Sequence, residues 1–286
     1  MAEAPLFQRG GVTIVAVLNV TPDSFSDGGR FVQAGRALDR DAAVAEALAL
    51  ARAGADVLDV GGESTRPGAH EIPADEEIAR VVPVLEALAK ASPVPLAIDT
   101  RKAVVAEAAL AAGATIVNDV SGLRHDPALA GVVARAGARL VLGHLRGEPA
   151  TMQDDPRFED ALAEVARELA ASAAQAEAAG VARERLVVDP GIGFGKRLED
   201  NLALLANVGE LRRRVGLPVL VGASRKSFLG RLTGEPPGRR DPASHAAAAV
   251  AVFAGADAVR VHDVAGARVA VTVALALRQA RRESGA

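Results

Sequence analysis

Asp189 ends the apolar run Leu186–Val188 and is followed by Pro190 and by glycines at 191, 193 and 195. A strand buried on both faces would stop there, and the glycines prevent a helix from following at once. A carboxylate in that position is either a cap or a ligand-facing group. Three other Asp-Pro pairs, Asp126-Pro127, Asp155-Pro156 and Asp241-Pro242, each precede a helical pattern. Their Asp reads as N-cap and their Pro as the first helical residue. Asp189 has no helix to cap, so the ligand-facing reading is preferred. The glycines do not spell a phosphate motif. A P-loop needs Gly at 190 and Ser or Thr at 197, where Pro190 and Arg197 stand. A dinucleotide fingerprint needs Gly at 196, where Lys196 stands.

Two further sets of residues could do chemistry. Asp99, Asn118, Asp189 and Lys226 suit a flat heterocycle, because a carboxylate accepts two parallel N–H bonds and an ammonium can donate to a ring carbonyl or nitrogen. The competing reading pairs Asp99 and Asp189 with Lys or Arg across the interior; the ligand reading is preferred. Arg260 and His262, two apart, project from one face of a strand and join Ser224-Arg225-Lys226 in a basic group suited to phosphate. His262 as a plain core histidine is the alternative, weakened by its neighbour Arg260. Asn19 could offer one amide oxygen to Mg²⁺, which takes its other ligands from phosphate and water.

The elements that must hold these residues follow from a repeated phrase. Ala-Gly-Ala at 53–55, 112–114, 136–138 and 254–256 ends an alanine-rich segment and precedes an apolar run. Gly180 and Gly216 do the same with other neighbours, each a helix stop. The pattern predicts strands near Thr13–Asn19, Val57–Val60, Pro95–Asp99, Thr115–Asp119, Arg139–His144, Leu186–Asp189, Pro218–Gly222 and Ala258–His262. Phe158, Leu162, Val165 and Leu169 make one helical stripe, and Leu198, Leu202, Leu205 and Leu211 another. Eight such units read as one α/β domain, a (β/α)₈ barrel over 1–286, rather than an open sheet with edges. Closure would set Asn19 beside the eighth strand. The predicted strand ends carry Asn19, Asp59 to Gly62, Asp99, Asn118, Asp119, His144, Asp189, Gly222 to Lys226, Arg260 and His262. Polar groups gathered on that rim mark it as the active face. Two long polar loops, Val20–Arg30 and Gly61–Pro73, would cover it, the first as a lid.

Composition narrows the class. The chain has 286 residues, 50% hydrophobic, no Cys, Trp or Tyr, and a net charge of −3. That supports a large core and gives no ground for disulfides, thiolate metal sites or a nucleic-acid surface. With no signal-like N-terminus and no long apolar run, a soluble cytoplasmic protein without a membrane span is expected. Lysine occurs only at 90, 102, 196 and 226, and the last three fall just beyond strand ends.

Asn19–Gly29, Asp59–Gly68, Asp189–Lys196, Ser224–Lys226 and Arg260–Asp263 together resemble, in order and over almost the whole chain, the signature segments of the dihydropteroate synthase family. The resemblance implies condensation of p-aminobenzoate with dihydropterin-CH₂-diphosphate. It implies pterin held by Asp99, Asn118, Asp189 and Lys226, and diphosphate with Mg²⁺ held by Asn19, Arg260 and His262. Thr65, Arg66 and Ser224 would line the p-aminobenzoate site, Pro67 and Phe194 would form apolar walls, and Gly222 would also touch substrate. It implies a homodimer, and the apolar segment Val269–Leu277 could supply its face. Leu145 stands where Met is expected, a change that keeps side-chain volume. An arylamine is neutral at pH 7, so no general base is needed, and substitution with SN1 character is expected. The alternatives are a methyltetrahydrofolate–corrinoid methyltransferase barrel, a Schiff-base aldolase using Lys226, and a non-catalytic pterin-binding paralogue.

Overall fold

Apolar runs of four to seven residues between glycine-stopped helices form strands buried on both faces. The structure, a computed structural model, describes residue 7 and residues 11–21, 39–66 and 68–283. Its strands are β1 (Thr13–Asn19), β2 (Val57–Gly61), β3 (Leu96–Asp99), β4 (Ile116–Asp119), β5 (Arg139–Gly143), β6 (Leu186–Asp189), β7 (Leu220–Val221) and β8 (Ala258–Val261). Its helices are α1 (Arg40–Arg52), α2 (Ala74–Ala91), α3 (Ala103–Ala111), α4 (Leu129–Ala136), α5 (Ala161–Ala178), α6 (Leu198–Ala206), α7 (Val208–Val215), α8 (Ser227–Thr233), α9 (Asp241–Ala254) and α10 (Val264–Glu283). The strands run parallel in the order β6-β5-β4-β3-β2-β1-β8-β7. The Val188 N–H donates to Pro218 O at 2.9 Å and Val188 bridges Val219, closing the (β/α)₈ barrel.

One apolar residue from each strand fills the barrel interior: Val15, Val57, Ala97, Ile116, Val141, Val187, Leu220 and Ala258, with Phe7 against them. Strand side chains repeat every second residue, so the next inward layer is fixed. It is Val17, Asp59, Asp99, Asn118, Gly143, Asp189, Gly222 and Arg260, with Asn19, Gly61 and His262 one step higher. The larger core lies outside, between strands and helices, where Ile14, Leu58, Ile98, Leu140 and Val188 meet Leu85, Leu88, Leu129 and Leu169. Fully burying each such side chain contributes roughly 1.5–3 kcal/mol.

The glycine stops are in place: Gly54, Gly113, Gly137, Gly180, Gly216 and Gly255 all take positive φ. Local expectations fail at the three other Asp-Pro pairs and in both helical stripes. Asp155 caps no helix; it takes φ 65° and binds Arg157, and the α5 cap is Asp160, which accepts from Ala163 N. Asp241 is the first residue of α9 rather than its cap, and its carboxylate goes to Arg225. Asp126 accepts from Ala128 N, but α4 starts only at Leu129, and its other oxygen takes the first N–H of α3 at Ala103. The stripe through Leu198 and Leu211 is broken between α6 and α7 at Asn207, and Leu202 is exposed while Leu204 is buried. Phe158 packs before α5 begins. The lid expectation rests on residues 22–30, which lie outside the described residues, as does Pro67.

Candidate active site

The inward layer above the apolar plug carries polar or charged side chains at five of its eight positions. Arg260 lies at its centre: its Nε donates to Asp59 Oδ2 at 2.6 Å and its Nη2 to Asp99 Oδ2 at 2.6 Å. Asn118 Nδ2 donates to the same Asp59 oxygen at 3.1 Å. Among the described residues, Asp59 Oδ1 and Asp99 Oδ1 are buried with no hydrogen-bond partner. Burial pushes the Asp99 pKa up, and the like charge of Asp59 adds to it, while Arg260 opposes both. Arg260 is itself held firmly protonated by Asp59 and Asp99 against the cost of burial.

Asp189 is half-buried at the end of β6. Its Oδ1 accepts from Gly191 N at 2.7 Å, and its other oxygen faces the space above Gly222. A methyl group at Gly222 would stand 3.5 Å from Asp189 Oδ2. Burial raises the Asp189 pKa, with Lys226 as the main opposing charge. Lys226 donates to the Ile192 carbonyl, and its ammonium lies 3.6 Å from the centre of the Phe194 ring. Burial lowers its pKa to about 7, although Asp189 opposes the shift.

Ser224 and His262 form the phosphate-side corner. The Ser224 hydroxyl lies 3.0 Å from His262 Nδ1 and accepts from His262 N at 3.2 Å. Burial first, then Arg225, Arg260 and Arg66, lowers the His262 pKa to about 3. Burial and those neighbouring cations favour the neutral imidazole at this position. Arg225 has φ 58°, a left-handed conformation costing about 1–3 kcal/mol in a residue with a Cβ. Asp241 binds its guanidinium at 2.7 and 3.0 Å, and Ser244 Oγ accepts its N–H at 2.8 Å. That grip on α9 lets one short turn present both Ser224 and Lys226. Asn19 pairs with Gly61 across the β1–β2 ladder. Its Oδ1 and the Asp99 Oδ2 each lie 3.8 Å from where a Cβ on Gly61 would stand.

Other strand-end groups turn inward on the protein rather than toward a ligand. Lys102 is buried and donates to Glu63, to Glu77 Oε2 at 2.8 Å and to Ile72 O at 2.8 Å. Arg101 binds Glu63 at 2.8 Å and Glu148 at 3.0 Å. Glu63 also takes the Ile72 N–H at 3.1 Å, so this cluster clamps the second loop. Thr65 is half-buried and Arg66 exposed on that loop. Lys196 and His144 pair with each other behind the glycine loop.

The structure brings together Asp99, Asn118 and Arg260, then Asp189 with Gly222, Lys226 with Phe194, and Ser224 with His262. It also joins the expected heterocycle and phosphate sets, since Arg260 holds Asp99; the pairing reading of Asp99 holds for one of its two oxygens. Asp59, the acid that organises both sets, was placed on the rim by sequence but in no site. Its signal was available: it lies two residues after interior Val57, as Asp99 lies two after Ala97.

Residues 15–262 match the family described as pterin binding enzyme. The chain is 46% identical over 88% of its length, and 87% of the relative's, to a dihydropteroate synthase of Neisseria meningitidis serogroup C. It is 47% identical over 95% of its length to a probable bifunctional folylpolyglutamate synthase/dihydropteroate synthase of Haloferax volcanii, of which it spans only 31%. Among solved structures it resembles Xanthomonas albilineans dihydropteroate synthase with 4-aminobenzoic acid, at TM-score 0.85 and 45% identity over 94% of this chain and 93% of that one. With a family match running from β1 to His262, across all eight strands of the barrel, this chain belongs to the pterin-binding enzyme family, among the dihydropteroate synthases.

Proposed function

We propose that this chain condenses p-aminobenzoate with (7,8-dihydropterin-6-yl)methyl diphosphate, giving 7,8-dihydropteroate and pyrophosphate for folate synthesis. The observation that carries the reading is the unsatisfied acid layer: Asp59 Oδ1 and Asp99 Oδ1 lack partners beside Asn118, Asp189 and Lys226. Buried acceptors without donors are costly, and a pterin edge supplies adjacent N–H groups to such acceptors. Lys226, already against the Phe194 ring, donates to the ring carbonyl or nitrogen. The arylamine in the Xanthomonas relative supports p-aminobenzoate as the second substrate.

The reaction breaks the methylene C–O bond, whose electron pair leaves with the diphosphate. The amine lone pair then forms the new C–N bond, and the amine proton passes to solvent. Ser224, His262 and the Arg260 charge bind the diphosphate, and their task is to hold negative charge as it develops. Asp99 and Asp189 stabilise the cation left on the pterin methylene, which gives the substitution its SN1 character. Asn19 is the protein ligand expected for Mg²⁺. Its amide oxygen lies beside Gly61 and Asp99 at the barrel mouth, and a single neutral donor fits an ion that takes its other ligands from phosphate and water. When bound, Mg²⁺ would neutralise diphosphate charge. Among the described residues no group of three or more His, Asp or Glu could hold a metal.

Val269, Val273 and Leu277 are exposed at four-residue spacing on α10, with Val250 and Phe253 exposed on the adjoining α9. Such a stripe fits the face of a homodimer. Val273→Asp should move the sedimentation coefficient from dimer to monomer; a monomeric parent protein would remove this proposal. No described helix is long and apolar enough to cross a membrane, and a Cys-free chain fits a cytoplasmic setting.

Incubation with both substrates and Mg²⁺ should yield dihydropteroate and pyrophosphate in equal amounts by mass spectrometry. Tight pterin binding without product would move the chain to a non-catalytic pterin binder. The depressed pKa of Lys226 also suits a Schiff-base lysine. Borohydride trapping of a carbonyl substrate on Lys226 would favour that reading instead.

A further inference from the structure

Lys196 is a buried cation that the proposed reaction does not use. Its ammonium lies within hydrogen-bond distance of four acceptors, the carbonyls of His144 at 3.2 Å, Gly191 at 3.0 Å and Phe194 at 2.9 Å and the His144 Nδ1 at 3.0 Å, so its three N–H groups serve them with one hydrogen shared. The acceptors come from two loops, one after β5 and one after β6. An ammonium that donates to Nδ1 fixes the imidazole as the Nε2–H tautomer. His144 Nε2 in turn meets Glu168 of α5 at 3.0 Å, and Glu168 is held by Arg146 and Arg124.

The loop 190–196 is shaped around this anchor. Gly191 and Gly195 take φ of 65° and 56°, and a Cβ at either would collide with the backbone carbonyl of His144 or Arg146. The loop therefore lies flat on the β5 exit. Its opposite side faces the pocket: Ile192 O accepts from Lys226, the Phe194 ring underlies Lys226, and Gly191 N donates to Asp189. A Cβ at Gly193 would stand 2.7 Å from Lys226 Cδ. Lys196 thus draws in the carbonyls of Gly191 and Phe194 from behind, while Asp189 and Lys226 use the same segment from the front.

We propose that Lys196 is a positioning residue for the pterin pocket, acting through the 190–196 loop on Asp189, Phe194 and Lys226. Its charge, not only its bulk, performs this role, because three carbonyl oxygens left facing one another would repel and spread the loop. Burial, with Lys226 nearby, lowers the Lys196 pKa to about 7. The charged groups facing it are Lys226, Asp189, Arg146 and Glu168, with His144 in contact. The second substrate, which is expected between the Ser224 turn and the second loop, meets this loop only at Phe194 and depends on the anchor less than the pterin does.

The inference rests on the pterin reading, and the test separates the two. Lys196→Met keeps the aliphatic stem and removes the charge. Its dissociation constant for 6-hydroxymethylpterin, measured by calorimetry, should rise about tenfold or more. KM for the pterin diphosphate should rise in step, and KM for p-aminobenzoate should rise clearly less, by about threefold at most. Glu168→Gln, at the outer end of the network, should raise the pterin dissociation constant by about threefold, and it decides the matter if Lys196→Met does not fold. Wild-type-like pterin binding in a folded variant, or equal losses for both substrates, would overturn the role of Lys196 alone. A parent protein that binds no pterin would overturn the functional reading and this inference together.

Discussion

Two lysines sit at the same barrel mouth in opposite states. Lys102, beyond β3, donates to Glu63, Glu77 and a carbonyl, and these partners raise its pKa against burial. Lys226, beyond β7, has one carbonyl and an aromatic face, and burial lowers its pKa to about 7. The acids follow the same division. Glu63 is lowered by Lys102 and Arg101 in spite of burial, whereas Asp99 and Asp189 are raised by it. Glu77 departs from the pattern: it belongs to the clamp but is raised, with one oxygen unpartnered. Of these two clusters, the one whose charges satisfy each other holds a loop, and the one whose Asp99, Asp189 and Lys226 burial drives toward neutrality is the candidate ligand site.

The contrast predicts opposite failures. Lys226→Met should lower kcat/KM for the pterin diphosphate by about 10²–10³-fold with the fold intact. Steady-state pyrophosphate release and a melting curve measure both, and retained activity would break the assignment. Lys102→Met should instead leave Glu63 and Glu77 buried without their cation and cost about 3–5 kcal/mol of stability, read by urea unfolding. A small stability change there would make Lys102 another ligand group.

The strand order and polar layer were legible because interior periodicity and glycine stops are local signals. Val187 and Asp189, or Ala97 and Asp99, differ by one step of two along a strand, which sequence alone specifies. Which lysine serves as clamp was not legible. The partners of Lys102 are 39 and 25 residues away, and those of Arg260 are 201 and 161 away. Asp155 misled because an Asp-Pro pair also suits a turn, and its ion pair with Arg157 prevailed.

Proton linkage sharpens the same division. Pterin affinity should fall as pH rises through about 7, where Lys226 and, behind the loop, Lys196 lose their protons, each by up to about tenfold per pH unit. It should fall again in acid as Asp99 and Asp189 take up protons. Fluorescence titration between pH 5 and 9 tests this, and an affinity flat above 7 would remove Lys226 from the contact. A smaller effect concerns stability. Burial, with Lys196 beside it, lowers the His144 pKa to about 4, below its unfolded value near 6.5. The unfolded chain then binds the extra proton between those values, so stability is full above about 6.5 and declines as pH falls toward 4. About 1–3 kcal/mol should be lost over that range. His144→Gln should flatten the slope in urea unfolding at pH 4.5 and 7, and an unchanged slope would place the acid sensitivity elsewhere.

The most direct measurement is pyrophosphate release from (7,8-dihydropterin-6-yl)methyl diphosphate with Mg²⁺, with and without p-aminobenzoate, in the parent chain and Lys226→Met. Release strongly stimulated by p-aminobenzoate, matched by dihydropteroate and lost in the variant, is the predicted result. Release indifferent to p-aminobenzoate, or undiminished in Lys226→Met, would contradict the claim that this unsatisfied acid and lysine layer is the pterin site of a synthase.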